Sequence, residues 1–168
     1  MNLSREFSLE HRGRAYRAES YRPQHVEAVE ALEKLCFSDP WSRKLLAQEA
    51  AEEGRRWNLV LLDEEGPAAY SFVWHVEDEL HLLNYAVRPA LQGLGLGRAF
   101  LRRLIAEGRR AGFGLLTLEV RESNAPALRL YSGEGMVVLL KRSGYYSDTG
   151  EDALVMALPL QDFGEEAP

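Results

Sequence analysis

Cysteine is almost missing from this chain. Cys36 stands alone in 168 residues, which excludes an intramolecular disulfide framework and any multi-cysteine zinc or iron–sulfur centre. Long apolar runs are missing too, and no stretch approaches the ~20 residues that span a bilayer. The opening Met1-Asn2-Leu3-Ser4-Arg5-Glu6 lacks the apolar core of a secretory signal. Positive charge is in deficit. The formal charge of -6 argues against a general binder of nucleic acid or anionic membrane. Lysine is scarcest, with Lys34, Lys44 and Lys141 beside seventeen arginines, a skew from which no function follows. Neither repeats nor low-complexity blocks occur. With 46% apolar and 27% charged residues, the expectation is one cytoplasmic globular domain.

The patterning switches between strand and helix periods. Residues 1–13 are charged and patternless and are expected to be a loosely held extension, as is the tail at 161–168. The domain is then expected over 14–160. A short strand at 15–19 precedes a helical face of Val26, Val29, Leu32, Leu35 and Cys36. Ser42 is placed to cap a second helix that Gly54 ends. Strand-like runs follow at 57–62, 68–76 and 79–87, separated by Glu64-Glu65-Gly66-Pro67 and Glu77-Asp78, so they form an antiparallel meander. An amphipathic helix at 98–111 and an apolar strand at 115–120 then suggest a right-handed parallel crossover. A short helix at 125–132 and strands at 136–141 and 153–158 complete an α+β fold. Its mixed, mostly antiparallel sheet of six to seven strands carries helices on both faces.

The densest chemical signal is Gln92-Gly93-Leu94-Gly95-Leu96-Gly97-Arg98, between a strand and a helix. Glycines let backbone N–H groups converge without Cβ obstruction, and the following helix adds its unpaired N–H groups, so the turn suits a phosphate or pyrophosphate. A Walker A loop needs Lys-Ser/Thr after its last glycine, which Gly97-Arg98-Ala99 does not supply. A Rossmann fingerprint needs a third glycine where Arg98 or Phe100 stands. A turn that merely caps a helix remains open. So does the Gln/Arg-x-x-Gly-x-Gly/Ala turn of acetyl-CoA-dependent N-acetyltransferases, which Gln92, Gly95 and Gly97 satisfy.

Around that turn, the chain resembles the Gcn5-related acetyltransferase (GNAT) superfamily, and within it the bacterial ribosomal-protein alanine N-acetyltransferases. The resemblance rests on Phe37-Ser38-Asp39-Pro40-Trp41-Ser42, Leu83-Asn84-Tyr85-Ala86-Val87 and Leu118-Glu119-Val120-Arg121-Glu122-Ser123-Asn124. It continues through Leu130-Tyr131, Gly144-Tyr145-Tyr146 and Glu151-Asp152-Ala153-Leu154-Val155-Met156. These segments stand in family order over almost all of 15–160. Two departures are Gly135-Met136, where members usually have Gly-Phe, and Gly133, which weakens a short helix.

The resemblance implies acetyl transfer from acetyl-CoA to a protein N-terminal amine, with the N-terminal alanine of a small-subunit ribosomal protein as acceptor and no metal. It makes Glu119 the base and Tyr131 the acid. An apolar strand that ends in Glu119 agrees with the first role, because an α-amine with a pKa of roughly 8 needs only a weak base. An ion pair between Glu119 and an arginine such as Arg121 is the alternative. A phenol at Tyr131 can protonate a departing thiolate, although an aromatic on an amphipathic helix is also ordinary core.

By the same resemblance, Asn124 contacts the pantetheine arm as well as capping a helix. Tyr85, Ala86 and Val87 offer backbone groups, one of them to the thioester oxygen if a bulge splays the strand. Gln92, Gly93, Leu94, Gly95, Leu96, Gly97 and Arg98 hold the pyrophosphate. Trp41, Tyr145 and Tyr146 border the acceptor. The five arginines of the 98–111 helix are either a solvated face or an aid to phosphate binding. His75 and His81 match no standard metal spacing, and Cys36 is expected to fill core. Acetylation of lysine or of a small-molecule amine, and a non-catalytic acetyl-CoA-binding module, are the competing functions.

Overall fold

The computed structural model describes residues 2–51 and 54–161. The strands are β1 (Phe7–His11), β2 (Arg14–Ser20), β3 (Leu59–Asp63), β4 (Gly66–Val76), β5 (Glu79–Val87), β6 (Leu115–Arg121), β7 (Val137–Tyr146) and β8 (Glu151–Pro159). Interleaved with them are α1 (Val26–Cys36), α2 (Arg43–Ala51), α3 (Leu96–Arg110) and α4 (Ala125–Gly133). One sheet runs β1-β2-β3-β4-β5-β6-β8-β7. Every neighbouring pair in it is antiparallel except β5 and β6. The expected mixed, mostly antiparallel sheet and its parallel crossover are both present.

Period-two alternation sorts the side chains into two cores. Leu59 and Leu61 of β3, Ala69 of β4, and Leu116, Leu118 and Val120 of β6 face α3, whose Phe100, Leu101 and Leu104 are buried against them. Val60, Tyr70, Phe72 and Ala86 face the other way, onto Val29 and Leu32 of α1 and Leu46 of α2. Helices therefore cover both faces.

The sheet has eight strands and not six or seven, because residues 2–13 are not a loose extension. Phe7, Leu9 and His11 alternate with Ser8 and Glu10, and the strand pairs with β2 from Phe7↔Ala18 to His11↔Arg14. The two turn residues, Arg12 and Gly13, have φ of 50° and 73°, the left-handed pair that a two-residue hairpin of matching twist requires. Further contacts hold this end down. Trp57 Nε1 donates to the Ser4 carbonyl at 2.8 Å, and Arg110 donates to the Asn2 carbonyl at 3.0 Å. At the other end, Gln161 donates to the carbonyls of Arg109 and Phe113, both at 3.0 Å. The rest of the expected tail, 162–168, lies outside the described residues.

What positions the site is the point where β5 and β6 part. Their parallel ladder runs from Glu79↔Leu115 to Leu82↔Leu118 and stops there. Leu83 is an extra residue, since Phe72 of β4 faces Asn84 while Val73 faces Leu82. This bulge bends β5 and swaps its faces. Leu82 points toward α3, whereas Ala86 packs with the α1 core. Past it, β5 stays with β4 and β6 stays with β8, leaving a V-shaped opening between them.

Candidate active site

Two cavities share that opening. The larger, about 540 Å³, lies between the end of β5, the glycine turn and α4. Its walls include Tyr85, Ala86, Val87, Gln92, Gly93, Gly95, Gly97, Arg98, Asn124 and Tyr131. The second, about 220 Å³, lies on the α1 side and is lined by Trp41, Asn84, Glu119, Arg121 and Tyr146, among others. Tyr85, Asn124 and Tyr131 line both, so the two meet there.

The turn is built as phosphate chemistry requires. Gly95 is the N-cap of α3 with φ of 87° and no side-chain cap, so the first N–H groups of α3 are left for a ligand. A Cβ on Gly97 would lie 3.2 Å from Val87 Cγ2, so glycine lets the helix start close against β5. Gln92 Nε2 donates to the Val87 carbonyl at 2.8 Å and braces the turn on the strand. Leu94 and Leu96 differ from the others. Leu96 is buried in the core, and both side chains line a separate hollow on the β1–β2 side. Their place in the sequence motif concealed that the turn residues do not all face the groove: neither leucine lines it.

The arginines of α3 are mostly committed within the protein. Arg98 and Arg102 pair with Glu134 at 3.0 and 2.8 Å. Arg103 and Arg110 pair with Glu107 at 2.8 and 2.6 Å. Only Arg98 of this set lines the groove. A Cβ at Gly133 would come 2.4 Å from Arg98 Nη2, so the missing side chain leaves room for that guanidinium. Met136, which replaces the usual phenylalanine, is buried in the core.

Glu119 is half-buried on the part of β6 that still pairs with β8 but has parted from β5, with Arg142 Nε at 3.6 Å from Oε1. The alternative partner, Arg121, is engaged elsewhere: it pairs with Asp148 at 2.8 Å and stacks 3.9 Å over the Tyr146 ring. Tyr131 is buried in α4 at the junction of the cavities, and burial, followed by the proximity of Tyr146, holds its phenol well above the ordinary value. Asn124 caps α4 by accepting from Ala127 N–H at 3.2 Å, which leaves its amide NH₂ for a ligand. The Tyr85 hydroxyl donates to the Gly97 carbonyl at 2.6 Å, so this residue faces the cavities with its backbone.

Tyr146 lines the smaller cavity, but Tyr145 does not. It is exposed and stands edge-on to Tyr146 at 5.2 Å, because adjacent strand residues point to opposite sides. Cys36 packs against the edge of the α1 core as expected, but it does more than fill space. Its half-buried thiol lines the larger groove and donates weakly to the Val87 carbonyl at 3.4 Å. Sequence reading also missed Arg129, which lines the groove from α4, and Glu33, which is buried beside the smaller cavity. His75 and His81 are engaged locally, with the Gly54 carbonyl at 3.2 Å and Thr117 Oγ1 at 2.8 Å.

A parallel pair forced open beside a helix N-terminus stripped of side chains defines an acetyl-CoA-dependent acyltransferase. The chain belongs to the acetyltransferase (GNAT) family, which it matches over residues 26–136. It is 41% identical over 137 residues to the [ribosomal protein bS18]-alanine N-acetyltransferase of Escherichia coli K12, covering 80% of this chain and 91% of that protein. Identity to the putative [ribosomal protein bS18]-alanine N-acetyltransferase of Bacillus subtilis is 32% over 141 residues, 84% and 93% of the two chains. The crystal structure of the ribosomal-protein-S18-alanine N-acetyltransferase from Escherichia coli superposes with a TM-score of 0.81 at 37% identity, covering 91% of this chain and 99% of that one.

Proposed function

We propose that this enzyme acetylates the N-terminal α-amine of a protein in the cytoplasm, and that its acceptor is the N-terminal alanine of ribosomal protein bS18. The relatives that carry this activity in their names supply the acceptor. The meeting of the two cavities at Tyr131, with Glu119 lining the acceptor side, supports direct transfer.

In this reading, acetyl-CoA supplies an activated acyl group and a thiol leaving group. Its phosphates rest on the N–H groups at the start of α3, and Arg98 and Arg129 add positive charge at the groove. The pantetheine arm extends β5 along the edge that β6 has left, with Asn124 closing the other side. An unpaired N–H of the bulged strand polarises the thioester carbonyl. Glu119 takes the proton of the acceptor amine, and Tyr131 gives its proton to the departing thiolate. Burial keeps this phenol protonated at neutral pH, so it holds a proton to give.

The test is mass detection of acetyl transfer to a peptide beginning with alanine, to the same peptide blocked at its N-terminus, and to a blocked peptide containing lysine. Labelling confined to the free terminus is the expected result. Equal labelling of the blocked lysine peptide assigns the enzyme to side-chain amines instead.

A further inference from the structure

Buried glutamate side chains among the described residues come with arginines, with one exception. Among the described residues, Glu49 is held by Arg56 at 2.9 Å, Glu107 by Arg103 and Arg110, and Glu134 by Arg98 and Arg102. Glu33, on the last turn but one of α1, is 0% exposed and has no cation partner. Its carboxylate takes hydrogen bonds from the Tyr70 hydroxyl and the Asn84 amide on Oε1, and from Trp41 N–H at 2.9 Å on Oε2. The Asn84 amide and the Trp41 N–H can only donate, so both carboxylate oxygens are satisfied as acceptors. Its field is felt nearby: after burial itself, Glu33 is the next cause that raises the phenols of Tyr21 and Tyr70 and the thiol of Cys36.

Burying an ion without a counter-ion costs several kcal/mol, repaid only in part by hydrogen bonds. The location of this charge gives the cost a use. Glu33 lines the smaller cavity, and its three donors come from the acceptor loop, from β4 and from the bulged end of β5. A cationic guest is the missing partner. We propose that Glu33 is an acceptor-positioning residue, whose buried and cation-free carboxylate draws the α-ammonium of the incoming chain into the cavity while its bonds to Trp41 and Asn84 fix the two walls that receive it.

This rests on the proposed reading that the acceptor is an α-amine. Glu33 does not touch the amine in this scheme. It acts through space and through the walls it holds, whereas Glu119 takes the proton. Because Asp39 and Glu119 line the same cavity, with Arg121 among its walls and Arg142 beside Glu119, the share of Glu33 is isolated only by changing it alone.

The experiment measures binding without turnover, by calorimetry on the enzyme loaded with CoA. One peptide begins with alanine, and its analogue begins with a propanoyl group that lacks the amine. The wild type is expected to prefer the amine-bearing peptide at least tenfold. Glu33→Gln keeps the shape and removes the charge, so the preference is expected to fall below threefold with affinity for the analogue unchanged. Tyr70→Phe removes a donor and leaves the charge, and is expected to keep the preference. A wild type with no preference overturns the proposal without any variant. So does a Glu33→Gln protein that keeps the tenfold preference, or that weakens both peptides equally as a purely structural role requires. Failure of the α-amine reading is distinct, because the wild type then acetylates blocked lysine peptides as well as free termini.

Discussion

In the proposed reaction Glu119 and Tyr131 perform opposite tasks, and their variants separate by response to pH. Glu119→Gln preserves shape and removes the proton acceptor, so kcat is expected to fall by roughly 10² to 10⁴. Acetyl-CoA affinity is expected to hold, because Glu119 lines the acceptor cavity and not the phosphate end of the groove. Raising the pH increases the neutral fraction of an amine whose pKa is roughly 8, so this variant recovers partly. Tyr131→Phe loses an acid, and higher pH restores nothing. Its loss is expected to be the smaller one, because a thiolate leaves readily. Rates measured across pH for both variants check this; a Glu119→Gln enzyme with full activity throughout removes Glu119 from the reaction. Cys36 offers an independent probe of the groove. Burial, then the charge of Glu33, pushes its thiol up to about 11. At pH 8 the thiolate is therefore roughly a hundredfold rarer than for an exposed cysteine. Alkylation is expected to be correspondingly slow, to accelerate as pH rises toward 11, and to slow further when CoA fills the groove. Mass spectrometry of timed samples reads all three.

At the scale of elements, the glycine turn and the first strand carry separable predictions. Gly95 has a φ of 87°, a left-handed conformation that L side chains rarely adopt, so any substitution there strains the turn at the N-terminus of α3. Gly95→Val is expected to weaken acetyl-CoA binding at least tenfold in calorimetry performed below its melting temperature. Unchanged binding by the folded variant makes the turn merely structural. Phe7 of β1 rests 6.4 Å from the Phe100 ring under the Arg103 guanidinium, itself 4.6 Å away. Phe7→Ala is expected to cost about 1–3 kcal/mol, less than for a fully buried phenylalanine, and to lower the melting temperature by several degrees. That strand was hidden in the sequence because its five residues sit among charges and its core is covered from one side only. The long alternations of β4 to β6 and the period of α3 were legible because many residues repeat one signal. Other features were legible only in part. The motif named every residue of the turn but not which way each one faces, so Leu94 and Leu96 were grouped with their glycines. The same blindness joined Tyr145 to Tyr146. Glu33 gave no signal at all: a glutamate on a helix looks solvated until Tyr70, Asn84 and Trp41, distant in sequence, close around it.

The whole molecule places two openings on one V, so the order of chemistry follows from its shape. In the proposed reaction the acyl donor enters beside the glycine turn and the acceptor beside α1, and the two cavities that would hold them share Tyr131. With both ends meeting, no relay through the protein is needed. Nor is a carrier at hand. Cys36 is the only thiol, and at physiological pH it is held almost wholly protonated. Direct transfer within a ternary complex is therefore expected. Initial rates measured against both substrates should give intersecting reciprocal plots, and not the parallel ones of a covalent relay. The protein mixed with acetyl-CoA alone should keep its mass and release no stoichiometric burst of CoA. A single ligand that joins CoA through an acetyl bridge to an alanine-initiated peptide should bind at least a hundredfold more tightly than CoA alone, because the second contact is then made at high effective concentration. Parallel plots with an acetylated protein would move the chemistry onto a residue of the chain. A bridged ligand no tighter than CoA would mean that the two cavities do not communicate at Tyr131.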